Sequence, residues 1–352
     1  MSGTPQTPLV PPLAELDLRA FCLTIPQPVG LTGATGFVGS HLLEALLSGG
    51  ASVRVLVRDP GKLPAGLASR VEVVVGDLAD RQALERFAAG VGILLHLAGV
   101  VRAPKPEAFF AANAEGTQNL VFAAQASESR PRLVYVSSLA AAGPSPAPEG
   151  KLPEDPPAPV SAYGRSKLAG ERAVAAYPGA WLILRPPAIY GPRDRDVFQF
   201  FKMASRGWLP FPAGDRYVTV AFVGDVVLSV LKAASSSLSG KVLHLGEKAP
   251  YPLRELLAKL AAAGGVRARI VPLPGMVFRL AGFVGDGLHL LGWRDVPMTS
   301  DKARELLARH WTAHTQASLQ ALGLPEPVPF PRGAELTWRW YRNHGWLPHG
   351  RI

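Results

Sequence analysis

Apolar residues along this chain gather into short β-type runs separated by stretches of helical spacing. The runs are Val29 to Thr32, Val53 to Val57, Val71 to Val75, Ile93 to Leu97, Leu133 to Ser137 and Trp181 to Leu184, with helices expected near 37–48, 80–88, 107–127 and 161–176. Strands that alternate with helices pair in parallel through right-handed crossovers, and strands apolar throughout are buried on both faces. The pattern predicts an α/β fold, a Rossmann-like doubly wound parallel sheet. Past Tyr190 the alternation fades into helices and loops with one more strand near Lys241 to Leu245, which predicts a smaller, interleaved C-terminal substrate-binding lobe. Three parts follow: residues 1–26, proline-rich and partly disordered; a sheet domain over 27–240, with 190–220 contributing to the lobe; and 241–352, mainly lobe. The proline-rich stretch 143–159 can be neither helix nor central strand, so it reads as a long surface loop.

Composition narrows the function classes. A chain of 352 residues is long enough to bury a core unaided, and a charged fraction of 18% is too low for a charge-rich disordered polymer. Lys and Arg number 37 against 27 acidic residues, a net +10, yet they are scattered with no run of five, so no nucleic-acid partner is expected. The single cysteine, Cys22, makes neither an internal disulfide nor a zinc site, which favours a reducing, cytoplasmic setting; no secretory signal layout is visible at the start. The longest apolar region, Val271 to Trp293, is interrupted by Arg279, Asp286 and several glycines and prolines, a poor spanning helix. It reads as cap helices around an apolar pocket, with a peripheral membrane contact as the other reading. His310 and His314, at helical spacing but without a third ligand, do not predict a metal site.

The chemistry begins at Gly33-Ala34-Thr35-Gly36-Phe37-Val38-Gly39, between an apolar run and an amphipathic helix. Gly33 suits a tight turn, Gly36 a close backbone approach to a pyrophosphate and Gly39 close packing of helix on strand, while the helix N-terminus offers free N–H groups. The second strand ends in Arg58-Asp59, where an arginine suits a 2′-phosphate and an acid a 2′-hydroxyl. Arg58 points to NADP(H) in preference to NAD(H), and Asp59 keeps NAD in view. Asp77 either meets an adenine amine or serves as a helix N-terminal acid. Further on, Tyr163 and Lys167 stand four apart on a helical stretch, one face of which brings phenol and ammonium together. A neighbouring cation is expected to lower the phenol pKa and make a usable general acid/base.

Glycine fingerprint, strand-end Ser137-Ser138 and Tyr163-x-x-x-Lys167, in this order, resemble the extended branch of the short-chain dehydrogenase/reductase superfamily, over about 28 to 345. Leu95 to Gly99, Asn113 to Thr117, Leu184 to Pro192 and Phe222 to Asp225 match as well. The resemblance implies a catalytic set in which Tyr163 exchanges the proton, Lys167 tunes it and binds the nicotinamide ribose, Ser138 holds the substrate oxygen and Asn113 orders a proton relay. A helix cap is the other reading of Asn113. The implied cofactor contacts are Gly33, Thr35, Gly36, Phe37, Val38 and Gly39 at the turn, Arg58, Asp77 and Leu78 at the adenosine end, Leu97, Ala98 and Gly99, then Pro187 and Ile189 flanking the nicotinamide. It also suggests a homodimer.

Sugar-nucleotide epimerases and dehydratases share this core but place an arginine on the nucleotide at the position occupied here by Val218; Arg216 stands close by. Val220 to Asp225 looks more like 3β-hydroxysteroid dehydrogenase relatives, and Val57 to Pro60 more like dihydroflavonol reductases. The expected activity is therefore interconversion of a carbonyl and an alcohol on a small, bulky, apolar substrate. Phe198, Phe200, Phe201, Trp208 and Phe211 either line its pocket or pack the lobe. The alternatives are a nucleotide-sugar epimerase/dehydratase and a non-catalytic NADP-binding sensor or scaffold.

Overall fold

The computed structural model describes residues 9–348 other than 65, 104, 292, 294, 295 and 297. A short helix α1 (Leu18–Cys22) leads into β1 (Val29–Thr32), α2 (Phe37–Ser48), β2 (Val53–Val57), β3 (Glu72–Val75), α3 (Arg81–Ala88) and β4 (Ile93–His96). Next come α4 (Pro106–Phe110), α5 (Gly116–Ala126), β5 (Arg132–Val136), α6 (Leu139–Ala142), α7 (Ala162–Ala175), β6 (Trp181–Arg185) and β7 (Ala188–Tyr190). The remainder comprises α8 (Phe198–Ser205), β8 (Trp208–Pro212), β9 (Tyr217–Val218), β10 (Val220–Phe222), α9 (Val223–Ser235), β11 (Lys241–His244), β12 (Tyr251–Pro252), α10 (Leu253–Ala263) and β13 (Arg269–Leu273). The chain ends with α11 (Gly275–Leu290), α12 (Ser300–Leu307), β14 (His310–Trp311), α13 (Gln316–Ala321) and α14 (Phe330–Asn343).

Seven parallel strands form the main sheet in the order β11-β6-β5-β4-β1-β2-β3. The chain steps outward from β1 in one direction and then from β4 in the other, so the crevice between their C-terminal ends is the switch point where such sheets bind ligands. β1 and β4 are buried throughout, as continuous apolar runs require. This is the Rossmann-like sheet that the alternation predicted.

Three expectations change. The strand after residue 240, β11, is the seventh strand of the main sheet, paired with β6, so the sheet domain extends beyond the expected boundary. The chain before Pro28 is not loose over its described part: Leu13, Leu18, Cys22 and Ile25 are buried. Gly49 receives α1 so closely that a Cβ there would lie 2.4 Å from Cys22 Sγ. The helix expected over 107–127 is interrupted between α4 and α5 by a π-turn at Ala111–Glu115. Such wide turns recur at functional sites because they re-aim one side chain.

The lobe has its own aromatic core. Phe201 packs edge-on against Trp338 and Tyr341, with centroids 5.3 and 5.2 Å apart, and Phe198 against Tyr341 and Trp346. Phe211 is buried with them and Phe200 half-buried, while Trp208 is exposed. Apart from Trp208, these aromatics pack the lobe. The loop 143–159 is pinned: Ser145 N–H donates to His310 O, and the buried Lys151 ammonium donates to Ala142 O at 2.8 Å. His310 lies on β14 and His314 beyond it, so the two share no helix.

Candidate active site

The glycine turn closes as its spacing requires. Gly33 has φ +78°, a region open to glycine, and a Cβ at Gly39 would lie 2.0 Å from Gly33 O. No side chain caps α2 at Gly36, and the amides of Phe37 and Val38 have no acceptor among the described residues. An uncapped, glycine-lined helix N-terminus fits a pyrophosphate. Thr35 and Gly36 are exposed beside it. Ala98 N–H donates to Thr32 Oγ1 at 3.1 Å, which binds the loop after β4 to the end of β1.

At the adenosine end Arg58 is exposed with no ion-pair partner among the described residues, whereas Asp59 is engaged locally, accepting from Gly61 N–H at 2.9 Å. Asp77 accepts from the amides of Ala79 and Asp80, the turn that opens α3. Leu78 packs against Gly116, and its carbonyl accepts from Asn119.

Tyr163 sits in the first turn of α7, which Ser161 caps by accepting from Gly164 N–H at 3.0 Å. Gly164 lets the helix press on α6: a Cβ there would lie 2.3 Å from Ala140 O. That contact brings Tyr163 beside Ser138, the N-cap of α6. The two adjacent serines divide their work. Ser137 is buried and donates to Glu171 Oε1 at 2.5 Å, while Ser138 is near enough to Tyr163 to favour its phenolate.

Burial outweighs that help, so the Tyr163 phenol is pushed up to about 12, with Glu305 and Asp196 adding to the rise. The expected lowering by Lys167 is not found. The Lys167 ammonium donates to Val136 O at 2.9 Å and lies 4.3 Å from the Tyr135 ring centroid. It is itself brought down to about 7 by burial, with the Glu171 carboxylate opposing. Desolvation penalises whichever form carries charge, so a buried phenol rises and a buried ammonium falls.

Asn113 lies in the π-turn and is almost fully buried. Its Oδ1 accepts from Val100 N–H at 2.8 Å, and its Nδ2 donates to Val100 O and to Ser166 Oγ, which donates on to Tyr163 O. It caps no helix. A Cβ at the exposed Gly99 would lie 2.7 Å from Asn113 Oδ1 and 3.8 Å from Lys167 Nζ, so glycine keeps the space over this pair open. Leu97 and Ala98 are half-buried below; across the crevice Pro187 is buried and Ile189 half-buried on β7.

One residue escaped the sequence reading. Glu171, four residues after Lys167, continues the Tyr163-Lys167 face of α7 and pairs with Arg185 at the end of β6. His96 joins two threonines: Nδ1 meets Thr32 Oγ1 at 2.7 Å, and Nε2 meets Thr117 Oγ1 at 3.0 Å. Thr117 donates to Asn113 O, so Thr117 accepts from a His96 Nε2–H and Thr32 donates to Nδ1. Burial and the Lys167 charge bring His96 down to about 3, which keeps it neutral. It is a structural tie between β1, β4 and the π-turn.

The sequence reading placed the nucleotide arginine of sugar-nucleotide relatives at residue 218. Val218 occupies its position on β9, and the Arg216 guanidinium donates to Leu307 O at 2.6 Å, to Ala308 O at 3.0 Å and to Pro212 O at 3.1 Å.

Residues 29–246, from β1 through β11, match the NAD dependent epimerase/dehydratase family. This chain belongs to that family. It is 35% identical over 322 residues to the ceramide reductase of Caulobacter vibrioides, covering 91% of this chain and 96% of that protein. It is 30% identical to the 4-hydroxy-2-methyl-3-oxo-4-farnesyl-3,4-dihydroquinoline-1-oxide ketoreductase of Stigmatella aurantiaca, covering 85% and 96%. Among solved structures, the dTDP-glucose 4,6-dehydratase DesIV of Streptomyces venezuelae, with NAD and TYD bound, superposes with a TM-score of 0.72 at 23% identity, covering 91% of this chain and 98% of that one. The extended short-chain dehydrogenase/reductase resemblance is thereby established, and the family member is an NAD(P)-dependent enzyme acting on CH–OH groups. Among the described residues no helix is long and apolar enough to cross a membrane.

Proposed function

We propose that the chain is an NADP(H)-dependent reductase that interconverts a ketone and a secondary alcohol on a bulky, long-chain apolar substrate. The observation that carries this reading is the fate of Arg216. With that guanidinium bound to backbone carbonyls and Val218 beside it, neither residue presents a free cation where the sequence reading placed the nucleotide arginine. The names of the two curated relatives, a ceramide and a farnesyl-quinoline reductase, support a lipid-like substrate. Arg58, exposed and unpaired, supports the 2′-phosphate.

In this reading the bound dinucleotide supplies a hydride to the carbonyl carbon. The Phe37 and Val38 amides would hold the pyrophosphate, and the missing side chain of Gly99 would leave room for the ribose over Asn113 and Lys167. Tyr163, protonated across the working pH range because burial holds its phenol near 12, gives its proton to the substrate oxygen. Ser138 donates a hydrogen bond to the developing charge. One carbonyl, one hydride and one proton give one alcohol.

The test is NADPH consumption by the full chain with long-chain 3-oxo amides, beside product analysis after incubation with nucleoside diphosphate sugars, because an epimerase or dehydratase returns its hydride and consumes no net cofactor. Turnover of the ketones, abolished in Tyr163→Phe with NADPH binding retained, supports the reading. Turnover confined to the sugars overturns it in favour of the epimerase, with which the DesIV likeness of fold is compatible. NADPH binding with no turnover of either class favours the sensor.

A further inference from the structure

We propose that the outer face of α11 docks on an anionic lipid bilayer and sets the mouth of the active site at the membrane surface. The inference extends the long-chain reading above and rests on it for its purpose, though not for its evidence. On α11 the usual arrangement is inverted. Its inner face is glycine: a Cβ at Gly285 would lie 1.7 Å from Met298 O, and one at Gly282 would lie 2.9 Å from Ser300 Cα. Its large apolar side chains point the other way. Met276, Leu280, Phe283 and Val284 share one helical face, and with Leu291 and Trp293 just beyond they are between 58% and 78% exposed. Cap helices around an apolar pocket, the reading the sequence favoured, would bury these side chains. An apolar strip along a helix of about 24 Å is more than a folded monomer ordinarily leaves to water.

Charge identifies the occupant. Among the described residues of α11 the one exposed charged side chain is Arg279, a cation without an ion-pair partner among them, while on α12 the exposed Lys302 and Arg304 pair with Glu305 and Asp301. The carboxylates turn inward. Asp286 accepts from Ser300 N–H at 3.2 Å, Asp301 from Ala162 N–H at 2.9 Å, and Glu305 from Ser161 Oγ at 2.6 Å. An apolar strip that carries an unpaired arginine and ends in an aromatic residue, with the neighbouring carboxylates turned away, is the pattern that seats a helix in the headgroup region of an anionic leaflet.

The same carboxylates fix the position. Asp301 and Glu305 hold α12 on the N-terminus of α7, one and two residues before Tyr163, and Glu305 is close enough to raise the Tyr163 phenol. α11 packs on the start of α12 through Gly282, against Ser300, and on Met298 just before it through Gly285. A bilayer against α11 therefore lies beside the entrance to the site, where a long-chain ketone can pass from membrane to protein without crossing water.

The experiment is co-sedimentation of the full chain with phosphatidylcholine vesicles, with and without phosphatidylglycerol, at low and high salt. Binding to the phosphatidylglycerol vesicles, weakened by salt and by Arg279→Glu, is expected to fall at least about tenfold in the exposed double variant Leu280→Ser/Phe283→Ser. Reduction of a short, water-soluble ketone by that variant should match the parent. Failure of the parent to bind, or equal binding by the double variant, overturns the proposal. So does a dimer in light scattering that the double variant dissociates without any vesicle binding, because a second copy then covers the face. If vesicle binding follows the substitutions but no ketone is reduced, the functional reading fails and the docking surface stands.

Discussion

Glu171 Oε1 and Oε2 accept from Arg185 Nε and Nη2 at 2.9 and 2.6 Å in a buried two-point ion pair behind Lys167. The pair cannot be judged from its Coulomb attraction alone, because both ions have left water. Its value to the site lies in the field it sets: the Glu171 carboxylate is what opposes the fall of the Lys167 ammonium. Glu171→Gln keeps an acceptor for Arg185 and Ser137 but removes the charge, so the Lys167 pKa should fall further below about 7. If Lys167 acts as a cation, the basic limb of the kcat/KM profile then moves to lower pH. Glu171→Ala should destabilise by about 3 to 5 kcal/mol, since it strands a buried guanidinium. A pH–rate profile and chemical denaturation check the two parts separately.

Gly164 offers a test of how the site is held together. Its missing side chain lets α7 rest on Ala140 O, which is how Tyr163 reaches Ser138. Gly164→Ala should cost about 1 to 3 kcal/mol of stability by overpacking, and should lower kcat more than it raises KM as Tyr163 shifts. Gly287, on α11 with nothing near its Cβ position, is the control. Gly287→Ala should leave kcat unchanged and add up to about 1 kcal/mol through helix propensity.

The sheet and the glycine turn were legible because backbone geometry writes them directly: buried parallel strands must be apolar throughout, and a Cβ at Gly39 would lie 2.0 Å from Gly33 O. The parts that were not legible depend on contacts between distant segments. Leu18, Cys22 and Ile25 carry helical spacing, but over too short a run to outweigh the prolines around them. The π-turn at Asn113 leaves no periodic trace. The Tyr163 and Lys167 spacing correctly placed both groups on one helix face, yet the sign of their pKa shifts followed burial, which spacing does not report. Glu171 continued the same spacing and was readable in principle.

Arg58 and Asp59 make opposite claims on the ribose, and their surroundings differ. Asp59 already accepts from Gly61 N–H, while Arg58 points to solvent unpaired. Arg58→Ala should raise the dissociation constant of NADPH by about tenfold or more, the loss of a charge-assisted contact, and leave that of NADH within about twofold. Fluorescence titration of both dinucleotides measures the ratio. An unchanged ratio removes the case for the 2′-phosphate.

Asp225 and Glu247, away from the Tyr163 site, give the fold a dependence on pH of their own. Asp225 Oδ2 accepts from Val328 N–H at 2.9 Å and Glu247 Oε2 from Tyr251 OH at 2.7 Å, so they join α9 and β12 to the chain entering α14. Burial pushes each carboxyl up to about 7, and the Glu247 charge adds to the rise at Asp225. In the unfolded chain both titrate near about 4, so between about 4 and 7 the folded state holds more protons than the unfolded one. Their contribution to stability is therefore full below about 4, falls as pH rises, and is lost above about 7. His41 and His244, brought down to about 4, and His96, to about 3, act in the opposite direction, losing stability as pH falls below about 6.5. The histidines are common to every variant and cancel in a comparison. Asp225→Asn and Glu247→Gln preserve the acceptors, so each should melt close to the parent at pH near 4 and above it at pH near 8, by on the order of 2 kcal/mol. Thermal unfolding of parent and variants across that range decides it: parallel curves would mean that these two carboxyls are ionised in the folded protein and that the pH dependence arises elsewhere.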